Sequence, residues 1–215
     1  MKNLTFNYKN QAFTDSTIIA QGAGVEHASV IKLIKNYRDD ISEFGRVGFQ
    51  IVPLATNGGV QNIKVYRLNE QQATFVISLM RNTKPVIEFK KELVKQFYEM
   101  KQIIEKLVKI SGYNAKLNKE IKLLYENPKD YYFINENKMI NCIVTGMSSQ
   151  KFKQINNIKK GTMREHFSYE QLQLLEKIIK KDIFLFKQFP NYDYKQRKNY
   201  LENYKLELEK VNNRE

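Results

Sequence analysis

The chain is short of the residues that build disulfides, zinc sites and membrane spans. Among 215 residues there are one cysteine and two histidines, so neither an intramolecular disulfide nor a zinc motif can be written. The cysteine, Cys142, lies in an apolar run, where a buried and inert thiol is expected. No stretch approaches the roughly 20 apolar residues that cross a bilayer, and the polar start MKNLTFNYKN has no signal-peptide core. We therefore expect a cytoplasmic protein with no membrane partner and no need of a metal or other cofactor.

Catalytic motifs are also missing from the sequence. There is no phosphate loop or nucleophile elbow, and Asn57-Gly58-Gly59 lacks the flanking lysine and helix entry of a phosphate cradle. Asp39, Asp40 and Glu43 can in principle hold a divalent ion, but acidic residues at the end of a basic helix are more often solvated. The sequence predicts that the protein is not an enzyme.

Positive charge, in contrast, is abundant. The chain carries 36 Lys and Arg against 23 Asp and Glu, a formal net charge of +13. Such a balance favours a polyanionic partner such as nucleic acid, although lysine-rich sequences can also be basic without binding anything. Because 42% of the residues are hydrophobic, the chain can also build a core.

Two short helices joined by a tight turn are predicted near the N-terminus. Asp15 or Ser16 can cap the first helix, and Gly22 and Gly24 end it. In the next stretch, VEHASVIKLIKNY, apolar and polar side chains separate onto opposite faces at helical spacing. The apolar face can bury against a core, and the polar face is free for solvent or DNA. That polar face consists of Ser29, Lys32, Lys35 and Asn36.

A β-hairpin follows these helices. The runs RVGFQIVPLA and VQNIKVYRL are rich in β-branched and aromatic residues, Thr56-Asn57-Gly58-Gly59 between them is a turn signal, and Pro53 indicates an edge strand. A hairpin after a candidate recognition helix is the order of a winged helix-turn-helix. The alternative is an ordinary small α+β domain with a polar hairpin. The residues predicted to contact DNA are His27, Ser29, Lys32, Lys35, Asn36, Arg38, Arg46, Asn57, Gln61, Asn62 and Lys64.

A long helix is predicted from Pro85 to Lys109, with apolar residues recurring every seven positions. This stripe can pair with a second copy of the chain or pack within one copy. Regulators that read DNA through one helix gain affinity and symmetry from pairing, which favours a homodimer. Gly112 and the polar run after it indicate a boundary. The predicted dimerisation residues are Val86, Phe89, Leu93, Phe97, Met100, Ile104 and Leu107.

The segment that carries these elements resembles the Rha family of phage and prophage regulatory proteins. The resemblance lies in EHASVIKLIKNYRDDISEFGRVGFQIVPL and then in VYRLNEQQAT, RN and VIEFKKELVKQF, in that order and spacing, over about residues 15–108. It implies a phage-encoded regulator that binds DNA. It identifies no catalytic residue.

The C-terminal part, residues 128–215, is predicted to be a small helical module. Its line INCIVTGMSSQKF resembles a module of phage regulators and antirepressor-like proteins, although Gln150 stands where a lysine is expected. This resemblance implies accessory DNA or partner binding. A helical packing module with solvated basic residues is the alternative.

These observations predict an α+β, mainly helical chain in three segments. They are a winged-helix DNA-binding domain (1–83), a long helix and connector (84–127), and the C-terminal module (128–215). The predicted function is a sequence-specific, dimeric transcriptional regulator that binds double-stranded DNA. The alternative is an effector that binds a host or phage protein or RNA, such as an antirepressor or inhibitor.

Overall fold

The computed structural model describes residues 3–56, 59–159 and 161–212, which form mostly helices and one four-stranded antiparallel sheet. This confirms the predicted α+β, mainly helical class. The chain divides into two compact units, residues 1–104 and 105–215. The division falls inside a long helix, within residues 84–127, for which the sequence predicted a long helix and connector.

The first unit contains every strand of the described residues and the shorter N-terminal helices. Its elements are β1 (Phe6–Tyr8), β2 (Gln11–Asp15), α1 (Ser16–Ala23), α2 (His27–Asn36), α3 (Arg38–Ser42), β3 (Gly48–Thr56), β4 (Gly59–Asn69), α4 (Glu70–Ser78) and the first half of α5 (Lys84–Leu124).

The sheet has the order β1-β2-β4-β3, so β3 is an edge strand. The predicted hairpin is confirmed: β3 pairs with β4 from Gly48↔Arg67 to Thr56↔Gly59, with Pro53 on the edge strand. The pairing of β1 with β2 was not predicted. Lys9 and Asn10 connect these two strands with φ values of 51° and 59°, the conformation of a two-residue hairpin turn.

Helix α1 begins at the predicted cap. The Asp15 carboxylate accepts hydrogen bonds from the backbone N–H groups of Thr17 and Ile18, at 2.8 and 3.0 Å. The helix ends at Gly24, whose φ of 66° suits glycine. The expectation that Gly22 also ends the helix is wrong. Gly22 lies within α1, where a Cβ atom would stand 2.1 Å from the ring of Phe89, so this glycine allows close packing on α5.

The apolar stripe of α5 packs in the core of the first unit. Val86, Phe89, Leu93 and Phe97 are buried together with residues of α1, α2 and α4, such as Ile19. Leu93 and Phe97 are each only 1% exposed. These four side chains are therefore not an exposed dimer seam. Of the other predicted dimerisation residues, Ile104 is buried, and Met100 and Leu107 are half-buried.

Helix α5 is also longer than the sequence indicated. It spans 41 residues and continues through Gly112, the predicted boundary. A Cβ atom at Gly112 would meet no atom within 4 Å, so no close contact requires glycine there. A single helical glycine costs only about 1 kcal/mol relative to alanine, which the neighbouring turns can offset.

Among its described residues, the second unit consists of helices and connecting turns, without a strand. Its elements are the second half of α5, α6 (Asp130–Thr145), α7 (Ser149–Ile155), a 3₁₀ turn (Met163–His166), α8 (Tyr169–Gln188) and α9 (Tyr194–Asn212). Ser168 and Gln171 form the predicted capping box of α8 through bonds of 3.0 and 3.2 Å. Cys142 is half-buried rather than fully buried.

Charged side chains are buried between helices of this second unit. Arg197 donates to both carboxylate oxygens of Glu136, at 3.3 and 3.0 Å, and its Nε lies 3.9 Å from Asp182. Burial, followed by the charge of Glu136, raises the pKa of Asp182 well above its usual range. The folded state thus favours a neutral Asp182 beside a charged pair that ties α6 to α9.

A second ionic group lies on α8. Glu176 accepts hydrogen bonds from the ammonium groups of Lys106 and Lys180, each at 2.6 Å. These bonds lower the pKa of Glu176 to about 2.

Within the described ranges, no helix is both long enough and apolar enough to cross a membrane.

Candidate nucleic-acid interface

Helix α2 is held by its apolar face and exposes its polar face. Val30 and Ile34 are 1% and 0% exposed in the core. Ser29, Lys32, Lys35 and Asn36 are exposed on the same helix. The separation of faces predicted from the sequence is therefore confirmed. The turn before α2 is closed by the N–H of Val25, which donates to the carbonyl of Ala20 at 3.0 Å.

His27 fixes the start of α2 to two other elements. Its Nε2 atom lies 2.9 Å from the hydroxyl of the buried Ser16, which accepts the backbone N–H of Tyr66 at 3.0 Å. Burial lowers the pKa of His27, although the charge of Asp15 opposes the shift. The ring is therefore neutral at pH 7, and the Ser16 hydroxyl can donate to Nε2. This chain of bonds sets α2 in a defined position relative to β4.

An open groove of about 470 Å³ lies between α2 and β4. It brings together five of the residues predicted to contact DNA, and none of its lining residues is acidic. Among the described residues, none forms an ion pair with Lys32, Lys35 or Lys64, so these charges are available to an anionic ligand. The groove is lined by His27, Ala28, Ile31, Lys32, Lys35, Asn36, Ile63 and Lys64.

Lys64 is placed at this groove by aromatic rings. Its ammonium lies 3.8 Å from the ring centroid of Phe49 and 5.1 Å from that of Tyr66. Cation–π attraction holds the ammonium near the rings. The Lys64 ammonium of β4 therefore lies at the same groove as Lys32 and Lys35 of α2.

Other predicted DNA contacts lie elsewhere. Ser29 is exposed on α2 but does not line the groove, and Gln61 and Asn62 are exposed on β4 nearer the hairpin turn. Asn57 lies outside the described residues. Arg38 and Arg46 line a different cleft, so the predicted set divides between two places.

This second cleft has a volume of about 640 Å³. It is bounded by α3, the start of β3 and the strands β1, β2 and β4. Most of its lining residues were missed by the sequence reasoning, because they come together only through the order of strands in the sheet. The cleft is lined by Tyr8, Lys9, Phe13, Arg38, Ser42, Arg46, Val47, Gly48, Phe49 and Arg67.

Aromatic and guanidinium groups form one connected layer in this cleft. The Arg67 guanidinium lies 4.5 Å from the ring centroid of Tyr8, and Tyr8 meets Phe13 edge-on at 5.6 Å. Arg67 also donates a hydrogen bond to the side chain of Gln50. Among the described residues, none forms an ion pair with Arg38 or Arg46.

The described residues contain no group of three or more His, Cys, Asp or Glu side chains arranged to hold a metal ion. Asp39, Asp40 and Glu43 of the sequence analysis therefore form no such group. What the groove and cleft offer is cationic, amide and aromatic chemistry, which suits binding to anions and bases.

The family model described as phage regulatory protein Rha matches residues 14–102 of the chain. This confirms the family resemblance found in the sequence. The match includes the whole groove between α2 and β4. It ends before the second unit, so the resemblance of the C-terminal module to phage regulators stays a prediction. No curated protein matches the chain.

Proposed function

We propose that this chain, whose residues 14–102 belong to the phage regulatory protein Rha family, is a phage or prophage regulator that binds double-stranded DNA sequence-specifically. The family itself supports a phage regulatory role. The DNA-binding part of the proposal rests on the groove between α2 and β4, where three unpaired lysines and an exposed amide lie together.

The dimensions of α2 suit a recognition helix. Its 10 residues make a rod about 15 Å long, and an α-helix fits the major groove of B-DNA. Asn36 on its exposed face has the donor and acceptor pair that reads an adenine edge. Lys32 and Lys35 can bind phosphates or guanine edges, and Lys64 of the hairpin can bind the backbone beside them.

A charge-reversal experiment tests this proposal. The Lys32→Glu, Lys35→Glu variant is compared with a Lys84→Glu, Lys101→Glu control, which changes the charge equally at exposed lysines of the first unit outside the groove. Duplexes are first selected from phage or host genomic fragments, and affinity is then measured by fluorescence anisotropy with excess nonspecific DNA. The groove variant should bind about tenfold or more weakly, the equivalent of 1.4 kcal/mol, while the control stays near wild type.

The circular dichroism spectrum of both variants must match wild type for the comparison to hold. Equal losses in the two variants would mean that binding depends on total charge alone, and the recognition role of α2 would have to be abandoned. An unchanged affinity in the groove variant would lead to the same conclusion.

A second candidate function is a protein-binding effector, and the hairpin favours it. Phe49, Ile51 and Val60 are large apolar side chains that are exposed on one face of the hairpin, and Leu54 is exposed on the other face. Exposed apolar clusters of this kind mark protein contacts. Failure to select any duplex from the genomic fragments, together with specific capture of one host or phage protein, would favour this candidate over DNA binding.

We extend the DNA-binding proposal to a homodimer, with a surface different from the buried stripe. Ile87, Val94 and Tyr98 are exposed on α5 and follow a spacing of seven and four residues. Pairing would place two α2 helices at half-sites about 34 Å apart, on an inverted repeat. Light scattering tests this: a monomer at micromolar concentration, with and without the selected duplex, would contradict the dimer.

A further inference from the structure

The cleft beside α3 combines aromatic surface with unpaired cations. It shares no lining residue with the proposed duplex-binding groove, although Phe49 of the cleft also contacts Lys64 of that groove. Tyr8 and Phe49 are 37% and 50% exposed, so part of each ring is open to a ligand. Tyr8 is fixed by Phe13 at its edge and by the Arg67 guanidinium over its face. The aromatic surface is therefore held in place before any ligand binds.

Two further cations stand at the same cleft. Arg38 and Arg46 are exposed, and no carboxylate of the described residues pairs with either. No residue that lines the cleft is acidic, although Asp39 and Asp40 follow Arg38 in the chain. A planar guanidinium without a carboxylate partner is suited to bidentate binding of a phosphate.

We propose that this cleft binds an unpaired nucleotide, with its base stacked on the Tyr8 and Phe49 rings and its phosphate held by Arg38 and Arg46. Aromatic rings beside cations are the combination that binds single-stranded nucleic acid, because every base has a stacking face and every nucleotide a phosphate. A simple anion needs no aromatic surface. A base within a duplex is already stacked on its neighbours and cannot present its face. The volume of about 640 Å³ lies in the range of sites for molecules of nucleotide size.

This site goes beyond the duplex-binding function proposed above, because it takes a different form of nucleic acid through different residues. The nucleotide can belong to a single strand or be free in solution. Both sources offer the same base and phosphate, and the experiment separates them.

The test measures binding of a short fluorescein-labelled oligothymidylate to the full chain by anisotropy. Tyr8→Leu should weaken binding by roughly 5- to 150-fold, the equivalent of the ~1–3 kcal/mol contributed by a base stacked on an aromatic ring. Arg46→Gln should weaken binding. It should also make the negative slope of log affinity against log salt shallower by about 0.7, the value for one phosphate of a single strand. Tyr8→Leu should not change duplex affinity by more than about twofold.

The Lys32→Glu, Lys35→Glu variant serves as the reciprocal control, since it should keep its affinity for oligothymidylate. This control makes the two proposals fail separately. If no duplex is bound but the affinity for oligothymidylate still depends on Tyr8 and Arg46, the result supports the cleft site and contradicts the duplex proposal. Because Arg46 is exposed, Arg46→Gln should fold, and this variant still tests the proposal if Tyr8→Leu does not fold.

Competition identifies the source of the nucleotide. Displacement of the labelled strand by thymidine monophosphate supports a site for free nucleotide, and retention of the strand supports a site that needs a chain. If inorganic phosphate displaces the labelled strand as effectively as thymidine monophosphate does, the proposal is overturned, because the base then contributes nothing to binding. Oligothymidylate binding that is insensitive to both substitutions would overturn it as well.

Discussion

Leu93 offers a direct test of whether the apolar stripe of α5 is core or interface. Its side chain is 1% exposed within one copy of the chain. Leu93→Ala removes three carbons, worth about 2.4 kcal/mol at ~0.8 kcal/mol each, and leaves a cavity. With the cavity, such substitutions cost about 2–5 kcal/mol, a large part of the roughly 5–15 kcal/mol that stabilises a typical domain.

Urea unfolding followed by far-ultraviolet circular dichroism measures this loss, at a low and a high protein concentration. The matched control is Leu123→Ala on the same helix, where the leucine is 71% exposed. It should change the free energy of unfolding by less than about 0.5 kcal/mol. The Leu93→Ala loss should be the same at both concentrations. A variant with wild-type stability but weaker self-association would refute the assignment of this stripe to the core.

Four further substitutions test particular contacts. Gly22→Ala should destabilise the first unit by about 1–3 kcal/mol, because its Cβ would stand 2.1 Å from the Phe89 ring, and thermal unfolding measures the loss. Asp182→Asn should leave the melting temperature at pH 7 unchanged or higher, since the fold already favours a neutral carboxyl there. Arg197→Met should lower the free energy of unfolding by about 3–5 kcal/mol, because it leaves the buried Glu136 carboxylate unpaired. The two lysines at Glu176 depress its pKa from 4.5 to about 2, so their stabilisation is complete above pH 4.5 and disappears as the pH falls towards 2. The stability difference between wild type and Glu176→Gln should shrink over that window in acid titrations.

Local patterns in the sequence were sufficient to predict α2 and the hairpin. The polar face of α2 follows from side-chain spacing alone, and the hairpin from two β-rich runs around a glycine turn. The short pair β1 and β2 was missed because its strands have three and five residues and its turn, Lys9-Asn10, contains no glycine. A signal so short is easily overlooked.

The partners of each buried face could not be read from the sequence. Heptad spacing in α5 correctly indicated that Val86 and Leu93 are buried, but the same spacing serves a core and a dimer seam equally. The sequence indicates a helix end at Gly22, since nothing local shows that the Phe89 ring packs against this residue.

The division of the predicted DNA contacts has a similar cause. Arg38 and Lys35 are three residues apart in sequence, yet one lines the cleft and the other the groove, because α2 ends between them at Asn36. The cleft also needs Tyr8 and Arg67, which meet only through the strand order β1-β2-β4-β3. Sequence separation carries no information about that order.

The salt dependence of duplex binding tests how the groove lysines work. Each phosphate neutralised by a cation changes the slope of log affinity against log salt by about −0.9. If Lys32, Lys35 and Lys64 each bind one phosphate, replacing all three by glutamine should make the slope shallower by about 2.7. Glutamine keeps part of each apolar stem and a hydrogen-bonding end, so the change isolates charge.

Titrations of wild type and the triple variant at several salt concentrations decide between two roles of the lysines. A slope reduced by about 2.7 assigns all three to the backbone, where they position α2 without reading sequence. A smaller reduction, with weakened discrimination between the selected duplex and nonspecific DNA, assigns at least one lysine to a base edge. An unchanged slope at unchanged affinity would mean that the groove does not touch DNA, and duplex binding would then have to be sought on another face of the first unit.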